Sequence, residues 1–291
     1  MATLQNKIDF AVVIRVKRAN PNGDPLNGNR PRTDYDSYGE MTDVCNKRKI
    51  RDRLLERWVA DGKKDDGNMI FVQSDDRRAD EYTSLRARAE AILGSKLGSG
   101  DTVRVACEKW FDVRAFGQLF ALKAKPKPKK GEDGEGDTGV SIGIRGPVTV
   151  QSAFSVAPIE ISSTQITKSV SGEDTKGGKR SSDTMGMKHR VDNGVYVFFG
   201  SMNPQLAEKT GFSDADAEAI KKVLPRLLEN DESSARPAGS MEILKVIWWK
   251  HSSKAGQYSS AKVHRTLSVQ ADGSFQLDTL KGLEPEIQDG F

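Results

Sequence analysis

"IDFAVVIRVKR", residues 8–18, is the stretch from which the fold can be read. Ile8, Phe10, Val12, Ile14 and Val16 alternate to one face while Arg15 and Lys17 point to the other, the period of a β-strand. An apolar face with cations near the strand's end is expected of a sheet covered by helices on one side. Working outward, "TDVCNKRKIRDRLLERWVA", residues 42–60, reads as a helix with Thr42 at its N-cap. Its core stripe is Ile50, Leu54, Leu55 and Trp58. Between strand and helix lies a long irregular loop, residues 19–43, rich in asparagine, proline and glycine. Loops of that length in a compact domain are functional or disordered, and the three prolines restrict the second option.

Further along, "TVRVACEKWFDVRAFGQLFAL" (102–122) alternates well enough for one or two strands. "KAKPKPKKGEDGEGDTG" (123–139) is low in complexity and reads as a mobile loop. Strand character returns over residues 140–161, with Pro147 at an edge or bulge. Residues 162–190 are polar, glycine-rich and basic between β-type segments, as expected of a long hairpin arm. "VYVFFGSMN" (195–203) reads as a buried strand. "SDADAEAIKKVLPRLLEN" (213–230) reads as a helix opened by Ser213 and kinked or ended by Pro225. "EILKVIWWK" and "AKVHRTLSVQ" are expected as closing strands in a hairpin. Without its insertions, the order strand, helix, strand, strand, helix, strand implies an α+β fold with a ferredoxin-like or RRM-like sheet.

The chain has 291 residues, is 36% hydrophobic and 30% charged, and carries a net charge of +4. No apolar run reaches membrane-span length and no signal-peptide core opens the sequence, so the expected compartment is the cytoplasm. Two cysteines, Cys45 and Cys107, exclude a disulfide framework or zinc cluster. No phosphate loop, dinucleotide fingerprint or nucleophile elbow is present, and the three histidines lack metal-ligand spacing. Charge is unevenly distributed. The end, residues 271–291, sets Asp272, Asp278, Glu284, Glu286 and Asp289 against one lysine, while basic residues cluster at 15–32, 47–57, 123–130 and 168–190. Such clustering points to a polyanion partner or to solvated faces.

The helix over 42–60 sharpens that choice. Its core stripe, continued backwards in steps of three and four, reaches Arg51 and Lys47, whereas Lys49 and Arg53 fall opposite the stripe, where solvated charge belongs. An anion meeting the helix's first turns, aided by the dipole and free N–H groups, accounts for Lys47 and Arg51, as does snorkelling at the core rim. "RAFGQLF" (114–120) weakly matches an aromatic RNA-binding pattern, with Phe116 either core or stacking platform. Met185 and Met187 have the character of apolar wedges between bases, or of a subunit contact. Asp24, Asp34, Asp36 and Asp43 crowd the first loop. They leave open a metal-dependent ribonuclease, against the plainer reading of turn-capping residues.

Six motifs occur in order: "NPNGDPLNGNRPRTD", "TDVCNKRKIRD", "DVRAFGQ", "GPVTVQSAFS", "MKHRVDNGVY" and "SARPAGS". Together they resemble the backbone-forming subunit of type I-C CRISPR Cascade, a member of the RAMP superfamily, over most of the chain. The resemblance implies a modified RRM-like palm, a finger-like insertion at about 60–102 and a thumb-like hairpin at 162–190. It implies copies of the chain lined along one CRISPR RNA in a right-handed helical filament, each gripping the spacer through its sugar-phosphate backbone. The thumb would interrupt the guide–target duplex through Met185 and Met187. Specificity would lie in guide pairing with the target DNA strand. The partners implied are other Cascade subunits and a recruited helicase-nuclease, with no cofactor and no catalysis. Carried onto this sequence, RNA contacts fall on Lys47, Arg48 and Arg51, on Asn20, Asn22 and Arg30 in the first loop, and on Lys168, Lys188, His189 and Arg190 in the arm. Arg18 and Phe116 complete the set. Related type III subunits cut RNA with a loop aspartate, in the region of Asp34 or Asp36 here.

Overall fold

The computed structural model describes residues 2–122, 140–167 and 185–291. The expected loop 123–139 and the middle of the expected arm, including Lys168, lie outside the described residues. Strand β1 (Ile8–Ala19) leads into a first loop with more order than the sequence suggests. It holds β2 (Gly23–Asp24) and β3 (Arg30–Pro31), paired antiparallel, and then β4 (Tyr38–Met41). Helix α1 (Asp43–Ala60) follows, with the Thr42 hydroxyl accepting the Cys45 N–H at its cap. Next come α2 (Leu85–Leu93), α3 (Thr102–Lys109), α4 (Phe111–Phe116) and a hairpin of β5 (Gly117–Leu122) with β6 (Val140–Arg145). Strands β7 (Val148–Val150), β8 (Ala153–Pro158) and β9 (Ile161–Thr167) precede the long β10 (Met185–Met202). Helices α5 (Pro204–Thr210) and α6 (Asp214–Val223) then lead to β11 (Met241–Lys250). The chain ends with α7 (Ser260–His264), β12 (Leu267–Val269), β13 (Phe275–Leu277) and β14 (Glu286–Asp289).

These elements form a mixed α/β molecule around one large antiparallel sheet in the order β14-β11-β1-β10-β8-β4, with β7 and β9 also paired to β10. Strand β1 sits between β10 and β11, Phe10 opposite Gly200 on one side and Trp248 on the other. Glycine is required at 200, because a Cβ there would lie 2.2 Å from the Phe10 ring. The main core joins the even residues of β1 to Ile50, Leu54 and Trp58 of α1 and to Ala217 and Ile220 of α6. Burying each of the larger side chains contributes about 1.5–3 kcal/mol.

The expectation of a sheet covered on one side is corrected. Ala11, Val13, Ile247 and Trp249 pack the opposite face against Val263, Leu267 and Leu283, so β1 is buried on both faces. The near-continuous apolar run "FAVVI" is the signature of such a strand. A buried carboxylate anchors this cover. Asp9 meets His251 Nε2 at 2.9 Å and Lys7 Nζ at 3.1 Å. Burial alone would raise its pKa, but bonds with His251, His264 and Ser260 and the charge of Lys7 hold it below the usual carboxylate range.

Two element expectations also change. Residues 102–116 are helical, and only 117–122 is strand. The valines suggest alternation, yet the buried Thr102, Ala106, Cys107 and Trp110 recur at helical spacing. Ala106, Cys107 and Trp110 join Phe71, Ala89, Leu93, Val113, Phe120 and Ile144 in a second, smaller core, where burial pushes the Cys107 thiol up to about 11. In the segment 261–270, one helical turn capped by Ser259 replaces the start of the expected strand. β12 pairs with β13, since β14 occupies the place beside β11. Pro225 ends α6, which passes into a 3₁₀ turn at Leu224–Arg226.

Candidate nucleic-acid interface

The expected contact residues fall into three groups. In the first loop, the asparagine side chains build the loop itself. Asn20 is buried and donates to Asn29 O at 2.6 Å, while its backbone N–H binds Ala235 O in the "SARPAGS" segment. Asn22 Oδ1 accepts from the N–H and hydroxyl of Thr42, tying the loop to the α1 cap. Arg30 instead reaches out of the loop to Ser163 Oγ at 3.1 Å. Arg18 is exposed and left-handed (φ 55°), a conformation that costs a non-glycine residue roughly 1–2 kcal/mol. It marks a change of face: Val16 is core by alternation, and Ala19 returns to the same core three residues later.

The second group is α1. Beside the two accounts of its basic residues, an incoming anion or snorkelling at the core rim, the structure shows a third: the chain supplies carboxylates of its own. Lys47 pairs with Asp43 at 3.0 Å, and Arg51 Nε with Asp112 at 2.9 Å. Arg48 pairs with Asp52 and, at 2.9 Å, with Asp231. Lys49 and Arg53, expected on a solvated face, are buried instead. The segment after α6 covers that face and brings in Asp231, which receives Lys49, while Arg53 forms a two-pronged pair with Glu56 at 2.6 Å. Burial favours the neutral form of Asp231, but Lys49, Arg48 and Arg236 outweigh it and hold the carboxyl down to about 2. Phe116 lies half-buried with the Arg51 guanidinium carbon 5.1 Å from its ring centroid, so its face is covered by Arg51.

The third group is the arm. Strands β9 and β10 pair from Val191↔Ile161 out to Met185↔Thr167. Alternation puts Met185, Met187 and His189 on one face and Lys188 and Arg190 on the other. Met185 and Met187 are both more than half exposed. His189 Nδ1 lies 2.8 Å from Ser163 Oγ, the atom that Arg30 also binds. Arm and first loop therefore meet at one hydroxyl. Arg190 Nε approaches Asp192 at 4.0 Å. Arg18, Arg30 and Lys188 make no ion pair among the described residues.

Three carboxylates of the first loop, those of Asp24, Asp34 and Asp43, are engaged locally. Asp24 caps the Leu26 N–H and pairs with Arg32 at 3.2 Å. Asp34 Oδ1 accepts the N–H groups of Asp36 and Tyr38, and Asp43 faces Lys47. Among the described residues, no three His, Cys, Asp or Glu side chains come together as a metal-binding group. No described helix is long and apolar enough to cross a membrane. The sequence could not show the partners Asp112 and Asp231, which are distant along the chain. Their only signal was the cationic excess on α1 that they neutralise.

Comparison with known proteins adds three findings. A curated relative from Haloferax volcanii, "CRISPR-associated protein Cas7", is 27% identical over 298 residues, covering 99% of this chain and 82% of that protein. Two solved chains, titled "CRISPR RNA-guided surveillance complex, pre-nicking" and "CRISPR RNA-guided surveillance complex", superpose with a TM-score of 0.46 each, at 13% and 16% identity. They cover 84% and 92% of this chain, and 78% and 77% of their own. The family profile described as "CRISPR-associated protein Cas7" matches residues 6–284, so the chain belongs to the Cas7 family.

Proposed function

We propose that this chain is a non-catalytic, RNA-binding backbone subunit of a CRISPR RNA-guided surveillance complex of the type I-C kind. Copies of it would line up along the guide RNA in a helical filament and support pairing of guide with target DNA. Other Cascade subunits would join it, and a helicase-nuclease would be recruited to the assembly. The palm is the RRM-like set β1, α1, β8, β10, α6 and β11, whose sheet order β11-β1-β10-β8 suits that reading. Residues 60–102 would be the finger-like insertion, resting on the small core around Trp110, and β9 with the outer half of β10 would be the root of the thumb.

One observation carries the proposal: the Arg30–Ser163–His189 junction, where the first loop meets the arm beside cations that no carboxylate neutralises among the described residues. The exposed Arg18 and the half-buried Arg30 and Lys188, on a strand end, a loop and a hairpin, suit sugar-phosphate contact without base reading. Within the contact set, Arg18, Arg30, Lys188, His189 and Arg190 would face the RNA backbone, and Arg51 on α1 would join them. Met185 and Met187 act as the wedge. Asn20 and Asn22 shape the loop, and Lys47 and Arg48 hold α1 to its neighbours.

Light scattering of the purified chain with single-stranded RNAs of increasing length, in EDTA, tests the proposal. Bound copies are expected to rise stepwise with length. The salt dependence should be steep, with a slope of about −0.7 per phosphate neutralised. Flat stoichiometry, or no binding at low salt, would overturn the reading.

A further inference from the structure

Three arginines tie the elements around the small core to their neighbours, and one of them, Arg51, has an open edge. Arg114 grips Asp216 through Nε at 3.1 Å and Nη2 at 2.7 Å, and its other amino group binds Gly67 O. Arg88 grips Asp80 through Nε and Nη2, both at 2.7 Å, and its Nη1 binds Phe71 O at 2.8 Å. Both are struts with every side in use. Arg51 binds Asp112 through Nε alone, and its two amino groups make no hydrogen bond among the described residues. Its side chain is 12% exposed, so the open edge is reachable through a narrow window.

We propose that Asp112 and Phe116 are positioning residues that aim the free edge of Arg51 at a phosphate of the bound RNA. This rests on the RNA-binding reading above and adds two groups that do not themselves touch RNA. Asp112 is buried and fixed by three donors: Arg51 Nε, the Phe71 N–H at 2.7 Å and the Val72 N–H at 3.0 Å. A carboxylate so held cannot follow a swinging guanidinium, so it sets the in-plane direction. Phe116 sets the tilt, its ring lying against the face of the same guanidinium. A planar fork with one edge pinned and its face supported is pre-organised for two parallel bonds to phosphate oxygens. Through Phe71, the small core fixes where a cation of α1 points.

The test is fluorescence anisotropy of a labelled single-stranded RNA across a salt series, in EDTA, beside thermal unfolding of each variant. Arg51→Gln is expected to lower the salt slope by about 0.7, one phosphate's share. Arg51→Lys should keep the slope and lose affinity, since the charge stays and the fork goes. Phe116→Leu should weaken binding roughly two- to fivefold at unchanged slope, as loss of a cation–π contact implies. Asp112→Asn should weaken it further. Because that variant also disturbs two backbone N–H bonds, Phe116→Leu is the decisive one. If Arg51→Gln weakens binding while Phe116→Leu leaves affinity unchanged, the positioning role is overturned. If the chain binds RNA and Arg51→Gln alters neither affinity nor slope, Arg51 is a strut and this inference alone falls. No binding by the unaltered chain would overturn both readings.

Discussion

The first turns of α1 and the junction of loop with arm look equally basic in sequence, yet their charges do different work. On α1, Lys47, Arg48 and Lys49 are held by carboxylates of the same chain, while Arg51 meets Asp112 through Nε alone and keeps an open edge. At the junction, Arg18, Arg30 and Lys188 meet none among the described residues, and Arg30 is held by a neutral hydroxyl. Except where one edge stays open, as in Arg51, a cation already paired inside the fold must give up its partner before it can neutralise a phosphate. One held by a hydroxyl gives up far less. On the proposed function, the paired cations of the first region, the free edge of Arg51 excepted, would serve stability, and those of the second would meet the polyanion.

The sharpest way to break that division is Asp231→Ala. Asp231 is the shared anion for Lys49, Arg48 and Arg236, and Lys49 is fully buried. Removing one partner of a buried pair leaves an uncompensated charge and costs about 3–5 kcal/mol. Urea unfolding should show a loss of that size. A loss under about 1 kcal/mol would mean that α1 does not depend on the pair. Acid offers the same test without mutation. The folded pKa of Asp231, about 2, lies below the ordinary 3.8. Its contribution is thus complete above the unfolded value and is lost as pH falls through the folded one. A shift of that size corresponds to roughly 2 kcal/mol. Asp231→Ala should remove this part of the acid limb.

Arg18 offers a smaller effect of opposite sign. Its left-handed backbone favours glycine. Arg18→Gly is expected to raise stability by about 1 kcal/mol in the same unfolding assay, while lowering RNA affinity and salt slope. Arg18→Ala keeps the strain and loses the charge, so it should match the glycine variant in binding and not in stability. Equal stabilities would place the strain elsewhere. Equal binding to the unaltered chain would remove Arg18 from the interface.

Local signals in the sequence were reliable where local physics decides the outcome. The Thr42 cap, the Ser213 helix start and the break at Pro225 depend on residues within a turn of one another. Non-local pairing was illegible. Asp231 lies 182 residues along the chain from Lys49, and Asp112 lies 61 from Arg51, so no periodicity on α1 could name them. The helix at 102–109 failed for a related reason. Its valines fit either period, and only packing against Phe71 and Phe120 selects the helical one. The same limit applies to the candidate site. Arg30 and His189 could be nominated as cations and arm residues, but their shared hydroxyl on Ser163 exists only once β9 pairs with β10.

Lys47 is where the comparison is hardest to satisfy, because both regions have a claim on it. It sits one turn into α1, where the helix dipole and free N–H groups favour an incoming anion, and it is partly exposed. Its partner Asp43 is more exposed still and lies four residues towards the N-terminus, the favourable direction for such a pair. Surface pairs of this kind contribute about 0.3–0.5 kcal/mol. Lys47→Ala is therefore expected to cost no more than that in unfolding. If Asp43 already neutralises the ammonium, the salt slope of RNA binding should be unchanged. A slope reduced by about 0.7 would mean that phosphate displaces Asp43. The interface would then extend from the arm onto α1, and the paired and unpaired cations would form one surface. An unchanged slope with Arg18→Ala reducing it confirms that the carboxylate partner, and not the position of the cation, decides which charges read RNA.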